Sequence, residues 1–175
     1  MRSVTPARRK AGKRTLLYTM VAPLYPNTFL FSDPHESRYL GWIIWKWDFD
    51  GYLRWAWNFW PESLWDQPRY IWHSGDMFFV YPGPVGPVDS IRWEMLRKGI
   101  EDYECLWLAR ERIAKLRAGG RRADLAKKCE EDLARAVELA TRQFDRPQSP
   151  RIPVETRLDE GRRILNEILR ATQGP

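Results

Sequence analysis

Thr15–Val21 (TLLYTMV) and Tyr52–Phe59 (YLRWAWNF) are the two runs whose reading decides the fold. Each is short, largely apolar and rich in β-branched or aromatic residues, the composition of a buried strand. A helix signal lies between them. Asp33 can cap, Pro34 suits the first helical position, and Glu36 stands where a capping box wants an acid. Leu40, Ile43, Ile44 and Trp47 then share one face, so a helix is expected over 34–47. A strand, a crossover helix and a second strand within about 45 residues form a βαβ unit, which makes the two strands parallel.

Downstream, Met77–Tyr81 reads as a short strand, and the turn cluster Pro82–Pro87 (PGPVGP) cannot continue it. Three helices follow. The first, over 90–117, is capped by Asp89, with Ile91, Met95, Ile100, Tyr103, Leu106, Ile113 and Leu116 inward, and Gly119-Gly120 stops it. The second spans 122–144, with Leu125, Cys129, Leu133, Ala136, Val137 and Ala140 inward. A Pro-rich linker at 145–153 leads to the third, over 155–171, with Leu158, Ile164, Leu165 and Ile168 inward. Two or three strands followed by this much helix make an unbalanced plan, because a parallel pair needs both faces covered. The expectation is a partial α/β domain with further strands upstream. It divides into a basic, disordered arm at 1–14, an α/β part at 15–118 and a helical extension at 119–175.

The net charge of +6 belongs to the arm: Arg2, Arg8, Arg9, Lys10, Lys13 and Arg14 precede any acid, and the other 23 basic residues match 23 acidic ones. The arm carries no aromatic residues to stack on bases, and nothing after it looks like a nucleic-acid module, so no nucleic-acid partner is expected. The apolar run Leu16–Leu24, interrupted by Thr19 and Pro23, falls short of the ~20 residues of a membrane helix. A basic start before that run imitates a secretory signal in outline, without a small-residue cleavage site, and the compartment stays unassigned. Cys105 and Cys129 fall on helices either side of the Gly119-Gly120 turn. In an antiparallel pair they would miss each other by roughly 7 Å along the axis, so two free thiols are expected. His35 and His73 lack cysteine partners nearby, and neither a metal nor a cofactor is expected.

Ten residues are tryptophan, and Trp42, Trp45, Trp47, Trp55, Trp57, Trp60, Trp65 and Trp72 crowd into 31 positions. Indole faces pack on the C–H faces of sugar rings, so this density beside Asn, Asp and Arg is a carbohydrate-site composition. The helical Trp42, Trp45 and Trp47 read as core filler, whereas Trp60 and Trp65 lie where packing needs them less. Along the second strand Tyr52, Arg54, Ala56 and Asn58 point one way, and Leu53, Trp55, Trp57 and Phe59 the other. Parallel α/β barrels work at their C-terminal strand ends, which puts Asn58 and Trp60 at the site with Tyr18 from the neighbouring strand; Trp55 reads as core beneath them. Asn58 either faces a sugar or caps the following loop. Asp76 is the most site-like acid, with a turn aspartate as its plain alternative. Asp48 and Asp50 precede their strand and lie at the wrong end.

Several strings in order resemble one family: Tyr18-Thr19, Pro26-Asn27-Thr28-Phe29, Glu36-Ser37-Arg38, Gly41-Trp42, Asp50 to Ala56 with Asn58 and Trp60, Gly75-Asp76, Tyr81-Pro82-Gly83, and Ser90 to Glu94 leading to Arg97, Gly99-Ile100 and Asp102-Tyr103-Glu104. Over about residues 15–110 the chain resembles the C-terminal part of the glycoside hydrolase family 123 catalytic domain. The resemblance implies a (β/α)8 TIM-like barrel of which 15–118 supplies the last βα units. It also implies N-acetylhexosamine-type glycosides as substrate, cleaved by substrate-assisted hydrolysis of the β-N-acetylgalactosaminidase kind. There the 2-acetamido group is the nucleophile, an aspartate orients it and the adjacent glutamate is the general acid, an exception to the two-carboxylate scheme. The family's Asp-Glu pair comes from an earlier strand. The adjacent acids here, Asp159-Glu160 and the reversed Glu101-Asp102 and Glu131-Asp132, fall on expected helices, so no catalytic residue is assigned. Met20 stands where the family often has cysteine after Tyr-Thr. The substrate-binding candidates are Tyr18, Asn58, Trp60 and Asp76. The expected partners are a glycan and the missing barrel half, or a second copy of the chain meeting an exposed apolar face. The alternative is a non-catalytic carbohydrate-binding or interaction module.

Overall fold

The expected βαβ unit is present and its strands are parallel. In the computed structural model, β1 (Leu16–Tyr18) and β2 (Gly51–Leu53) pair with Leu16 opposite Gly51, Leu17 opposite Tyr52 and Tyr18 opposite Leu53, and α2 (His35–Lys46) connects them. Residues 5–120, 122–145 and 153–173 are described. Arg2 of the basic arm and most of the linker expected at 145–153 lie outside the described residues.

The capping signal before α2 works as read. The Asp33 carboxylate accepts the backbone N–H of His35 at 2.9 Å, and Glu36 accepts that of Asp33 at 3.3 Å. The second oxygen of Glu36, itself buried, accepts the N–H of Asn27 at 2.8 Å. The same acid therefore starts the helix and ties down the loop that precedes it. Tyr39, Leu40, Trp42, Ile43 and Ile44 are buried; Leu40 packs with Phe79, Val80 and Leu96, and Leu17, Tyr52, Trp60 and Trp93 pack against that cluster.

Both strands are shorter than the apolar runs that announce them. Past Tyr18 the carbonyl of Met20 is taken by the side-chain amide of Asn27 at 2.6 Å, so it is not offered to a ladder. Past Leu53 the chain turns to other partners: Phe59 N–H bonds to Met77 O at 3.0 Å, and Phe79 N–H to Trp57 O at 2.7 Å. Asn58 and Phe78 thus form an antiparallel bridge. Of Met77–Tyr81, expected as a strand, Met77 to Val80 is buried throughout and pairs only through the Phe78 bridge. The short strand falls at β3 (Tyr81–Pro82), which pairs antiparallel with β4 (Pro87–Val88) across the PGPVGP turn. The architecture is mixed α/β, mostly helical with few strands.

The three helices follow as α3 (Ile91–Ala118), α4 (Ala123–Asp145) and α5 (Val154–Ala171). The chain divides into two compact units, Met1–Gly99 and Ile100–Pro175. In the second unit Leu106, Ala109 and Ile113 of α3, Ala126, Cys129, Ala136 and Ala140 of α4, and Leu158, Ile164, Leu165 and Ile168 of α5 are buried. Asp102, buried on α3, pairs with Arg162 of α5 at 2.6 Å. Both cysteines are free thiols, and burial pushes the Cys129 thiol up from its ordinary value. Among the described residues no helix is long and apolar enough to cross a membrane.

The segment expected as a disordered arm holds a short helix, α1 (Thr5–Lys10), and the reason is charge. Arg9 reaches across 39 and 41 residues to Asp48, at 2.8 Å, and to Asp50, while the other Asp50 oxygen accepts the Thr15 N–H at 2.7 Å. The acids before β2 are thus anchors for the N-terminal segment. Arg9, and after it the Thr15 N–H, hold the Asp50 carboxyl below its ordinary value. A carboxyl whose folded value is depressed stabilises at neutral pH and loses that contribution as pH falls through the folded value. Protection of the Thr15 amide, taken relative to its intrinsic exchange rate at each pH, should therefore hold at neutral pH and fall only below the ordinary carboxylate range, about pH 4. Loss of that protection already between pH 7 and 5 would show that the anchor is something else.

Candidate functional site

Arg54, one residue beyond β2, organises the ends of the two strands. Its side chain is almost wholly buried, and its donors are well supplied with acceptors. One terminal nitrogen donates to Thr19 Oγ1 at 2.6 Å and to Asn27 Oδ1 at 3.0 Å; the other donates to Asp76 Oδ1 at 2.6 Å, and Nε to the Asp76 carbonyl at 3.2 Å. Thr19 also shares a 2.6 Å hydrogen bond with the Tyr52 hydroxyl, which burial pushes up from its ordinary value. The loop after β1, the loop after β2 and the segment around Asp76 are thus clamped on a single guanidinium, whose rigid fork of donors suits the task.

A second buried arginine braces the same segment. Arg92 donates to the carbonyls of Thr28, at 2.5 Å, and Gly75, at 3.1 Å, and lies over the rings of Phe78 and Phe79 at 5.4 and 5.8 Å. Burial pushes this guanidinium down from its ordinary value. Gly75 has φ +85, and a β-carbon there would lie 2.7 Å from an Arg92 nitrogen and 2.8 Å from the Leu30 nitrogen. Glycine is required at this position for both reasons.

Of the four expected site residues, three lie on two paired segments. Asn58 is exposed beside its bridge to Phe78. Trp60, two residues on, is half-buried: it packs against the Leu40–Val80 cluster and against Leu64, Met77 and Phe78, and its indole N–H donates to Val80 O at 2.7 Å. Asp76, 2% exposed, opens the segment these two pair with. It lies in a turn, yet its carboxylate bonds to side chains: Oδ1 accepts from Arg54 and Oδ2 from the Trp55 indole at 2.9 Å. Tyr18 is half-exposed on the other face of the β1–β2 ladder, with Leu16 and Leu53.

Trp55 departs from its expected core position. It is 41% exposed, with only its polar edge turned inward to Asp76. Its ring meets Trp72 edge-on at 5.3 Å and Phe59 at 5.8 Å. Leu16, Tyr18, Met20 and Leu53 are likewise exposed, so the apolar face expected to lack neighbours is open to solvent. Arg54, Thr19 and Asn27 were not singled out as a cluster in the sequence, although one arginine inside an otherwise apolar aromatic run is a signal that it meets a buried acid. Chemically, the arrangement offers exposed aromatic faces and polar groups on a rigid frame. Asp76 is engaged through both oxygens and so is ill placed to act as a free acid or base.

Residues 2–109 match the glycoside hydrolase 123 catalytic domain, and the chain belongs to that family. A family 123 glycoside hydrolase from Clostridium perfringens, solved for the details of glycolipid glycan hydrolysis, has the same fold over 97% of this chain, with a TM-score of 0.67 and 24% identity. The chain spans 29% of the length of that protein. Nothing among the curated proteins matches it.

Proposed function

We propose that the chain is the C-terminal part of a glycoside hydrolase domain that acts on N-acetylhexosamine-type glycosides by substrate-assisted hydrolysis. In this reading it supplies the last βα units of a (β/α)8 barrel and one side of the sugar pocket, and it is inactive alone. The observation that carries the reading is family membership over 2–109. The parallel β1–α2–β2 unit and the polar and aromatic residues beyond its strand ends support it.

Tyr18, Asn58, Trp60 and Asp76 are the proposed substrate-binding residues. Asn58 offers a donor and an acceptor to ring hydroxyls or an acetamido group, and Tyr18 a hydroxyl and a ring. Trp60 and Asp76, tied to Val80 and Arg54, hold the walls. The Asp-Glu pair of the mechanism lies outside this chain: Asp159-Glu160 is on α5, Glu101-Asp102 on α3 and Glu131-Asp132 on α4. The open face carrying Leu16 and Leu53 is the surface proposed to meet the rest of the barrel, or a second copy of the chain. The double engagement of Asp76 favours a second reading, a carbohydrate-binding module without chemistry of its own.

Asn58→Ala is expected to weaken binding of an N-acetyl-β-galactosaminide by roughly 1–3 kcal/mol, the usual cost of an unpaired polar group, with the melting temperature unchanged. A melting temperature that falls while affinity holds would make Asn58 a loop cap. Calorimetric titration and a thermal melt of the same variant separate the two.

A further inference from the structure

Trp55 is held in an unusual way. A tryptophan half in solvent commonly buries its ring and leaves its N–H wet. Here the N–H is inside, on a carboxylate 2% exposed, and the ring is outside. That carboxylate is fixed by Arg54 through both its side chain and its backbone carbonyl, and the Asp76 N–H is fixed by the carbonyl of His73 at 3.0 Å. Trp72, 37% exposed, meets Trp55 at 68° with centroids 5.3 Å apart, and Phe59, 54% exposed, lies tilted at 47° with its centroid 5.8 Å from that of Trp55. Three rings thus form an open corner whose central member cannot rotate without breaking its hydrogen bond to a buried carboxylate.

Trp60 and Trp65 lack that combination. Trp60 has its N–H on a backbone carbonyl and its ring against the core. Trp65, though exposed, lies flat against Tyr81 at 15° and 5.3 Å, which uses one of its faces.

We propose that Trp55, Trp72 and Phe59 form a preorganised stacking platform for the apolar C–H face of a pyranose ring, with Asp76 as the positioning residue that aims the Trp55 indole. This rests on the carbohydrate reading above and adds residues to it. A rigid aromatic corner binds without paying to order its side chains. Two faces at a steep angle suit a ring carrying a methyl-bearing substituent such as an acetamido group: one takes the ring and the other the methyl.

The test is a titration of the full chain, uniformly labelled with nitrogen-15 so that backbone amides and indole N–H groups are both read, by methyl N-acetyl-β-D-galactosaminide and by methyl β-D-galactoside. The Trp55 and Trp72 resonances should move saturably and that of Trp65, stacked on Tyr81, stay in place. The acetamido sugar should bind more tightly. Trp72→Ala should weaken binding about tenfold, the size of a lost aromatic contact. Asp76→Asn should weaken it similarly and shift the Trp55 indole resonance before any sugar is added. If Asp76→Asn does not fold, Trp72→Ala, which changes only an exposed ring, decides. Sugar-induced shifts at Asn58 and Tyr18 without Trp55 or Trp72 would overturn the platform and leave the carbohydrate reading standing. No response anywhere to either sugar would remove both. Movement of Trp55 and Trp72 with protein concentration alone would make the corner a protein interface, which also overturns the proposal.

Discussion

Arg54→Met is expected to destabilise the protein by about 3–5 kcal/mol, the cost of leaving one member of a buried ion pair without the other. The substitution keeps the aliphatic volume and removes the donors that serve Thr19, Asn27 and both the carboxylate and the carbonyl of Asp76. Asp76 would keep only the Trp55 indole on its carboxylate, inside a site closed to water. A loss of this size is a large share of the 5–15 kcal/mol that holds most domains folded. Urea denaturation followed by tryptophan fluorescence should show it as a lower midpoint. The double variant Arg54→Met/Asp76→Leu should recover much of the loss, because buried pairs often gain little over apolar residues of similar volume. If the double variant is as unstable as the single one, the clamp matters through Thr19 and Asn27 and not through the charge.

Gly41→Ala should cost about 2 kcal/mol although it improves helix propensity. α2 and α3 meet here at backbone distance: a β-carbon on Gly41 would collide with the carbonyl of Gly99, and one on Gly99 would lie 2.7 Å from the carbonyl of Arg38. Overpacking a close contact costs typically 1–3 kcal/mol and sometimes more, against a gain of roughly 1 kcal/mol from replacing a helical glycine. The steric term wins because the obstructing atoms are backbone and cannot rotate away. Gly86→Ala is the control, since a β-carbon there meets nothing within 4 Å, and it should be near neutral. Equal melting temperatures for Gly41→Ala and the parent would mean the two helices can separate without loss.

The elements legible in the sequence are those where one signal dominates. The capping pair Asp33 and Glu36 fixed the start of α2, the 3.6 period gave α5 its four inward residues, and Gly119-Gly120 ended α3. On α3 the apolar stripe misled. Ile91 and Ile100 are exposed, while the buried positions between and after them hold Arg92, Leu96, Gly99 and Asp102. The helix turns polar and small residues inward because Arg92 braces a loop, Gly99 admits α2 and Asp102 pairs with Arg162. Hydrophobic periodicity cannot see such positions. The same limit applied at the strand ends. Alternation grouped Tyr52 with Arg54, which both reach Thr19, and put Trp55 on the opposite side, but the strand ends at Leu53 and Arg54 and Trp55 meet the same Asp76 carboxylate. Reading that opposite side as core assumed a covering layer, and Trp55 instead presents its ring to solvent. The family strings marked Asn27, Arg54, Gly75 and Asp76 without saying why; the clamp on Arg54 and the close approach at Gly75 supply the reason.

The central claim is that this chain carries one side of a sugar site but not the chemistry. Saturation-transfer NMR on the purified chain with 4-nitrophenyl N-acetyl-β-galactosaminide tests both halves in one tube, because bound sugar protons and released nitrophenol are read together. The account predicts transfer to the sugar ring and acetamido methyl protons, with no nitrophenol above the protein-free control. Absence of transfer would contradict the site, and nitrophenol release that survives repurification would contradict the missing acid.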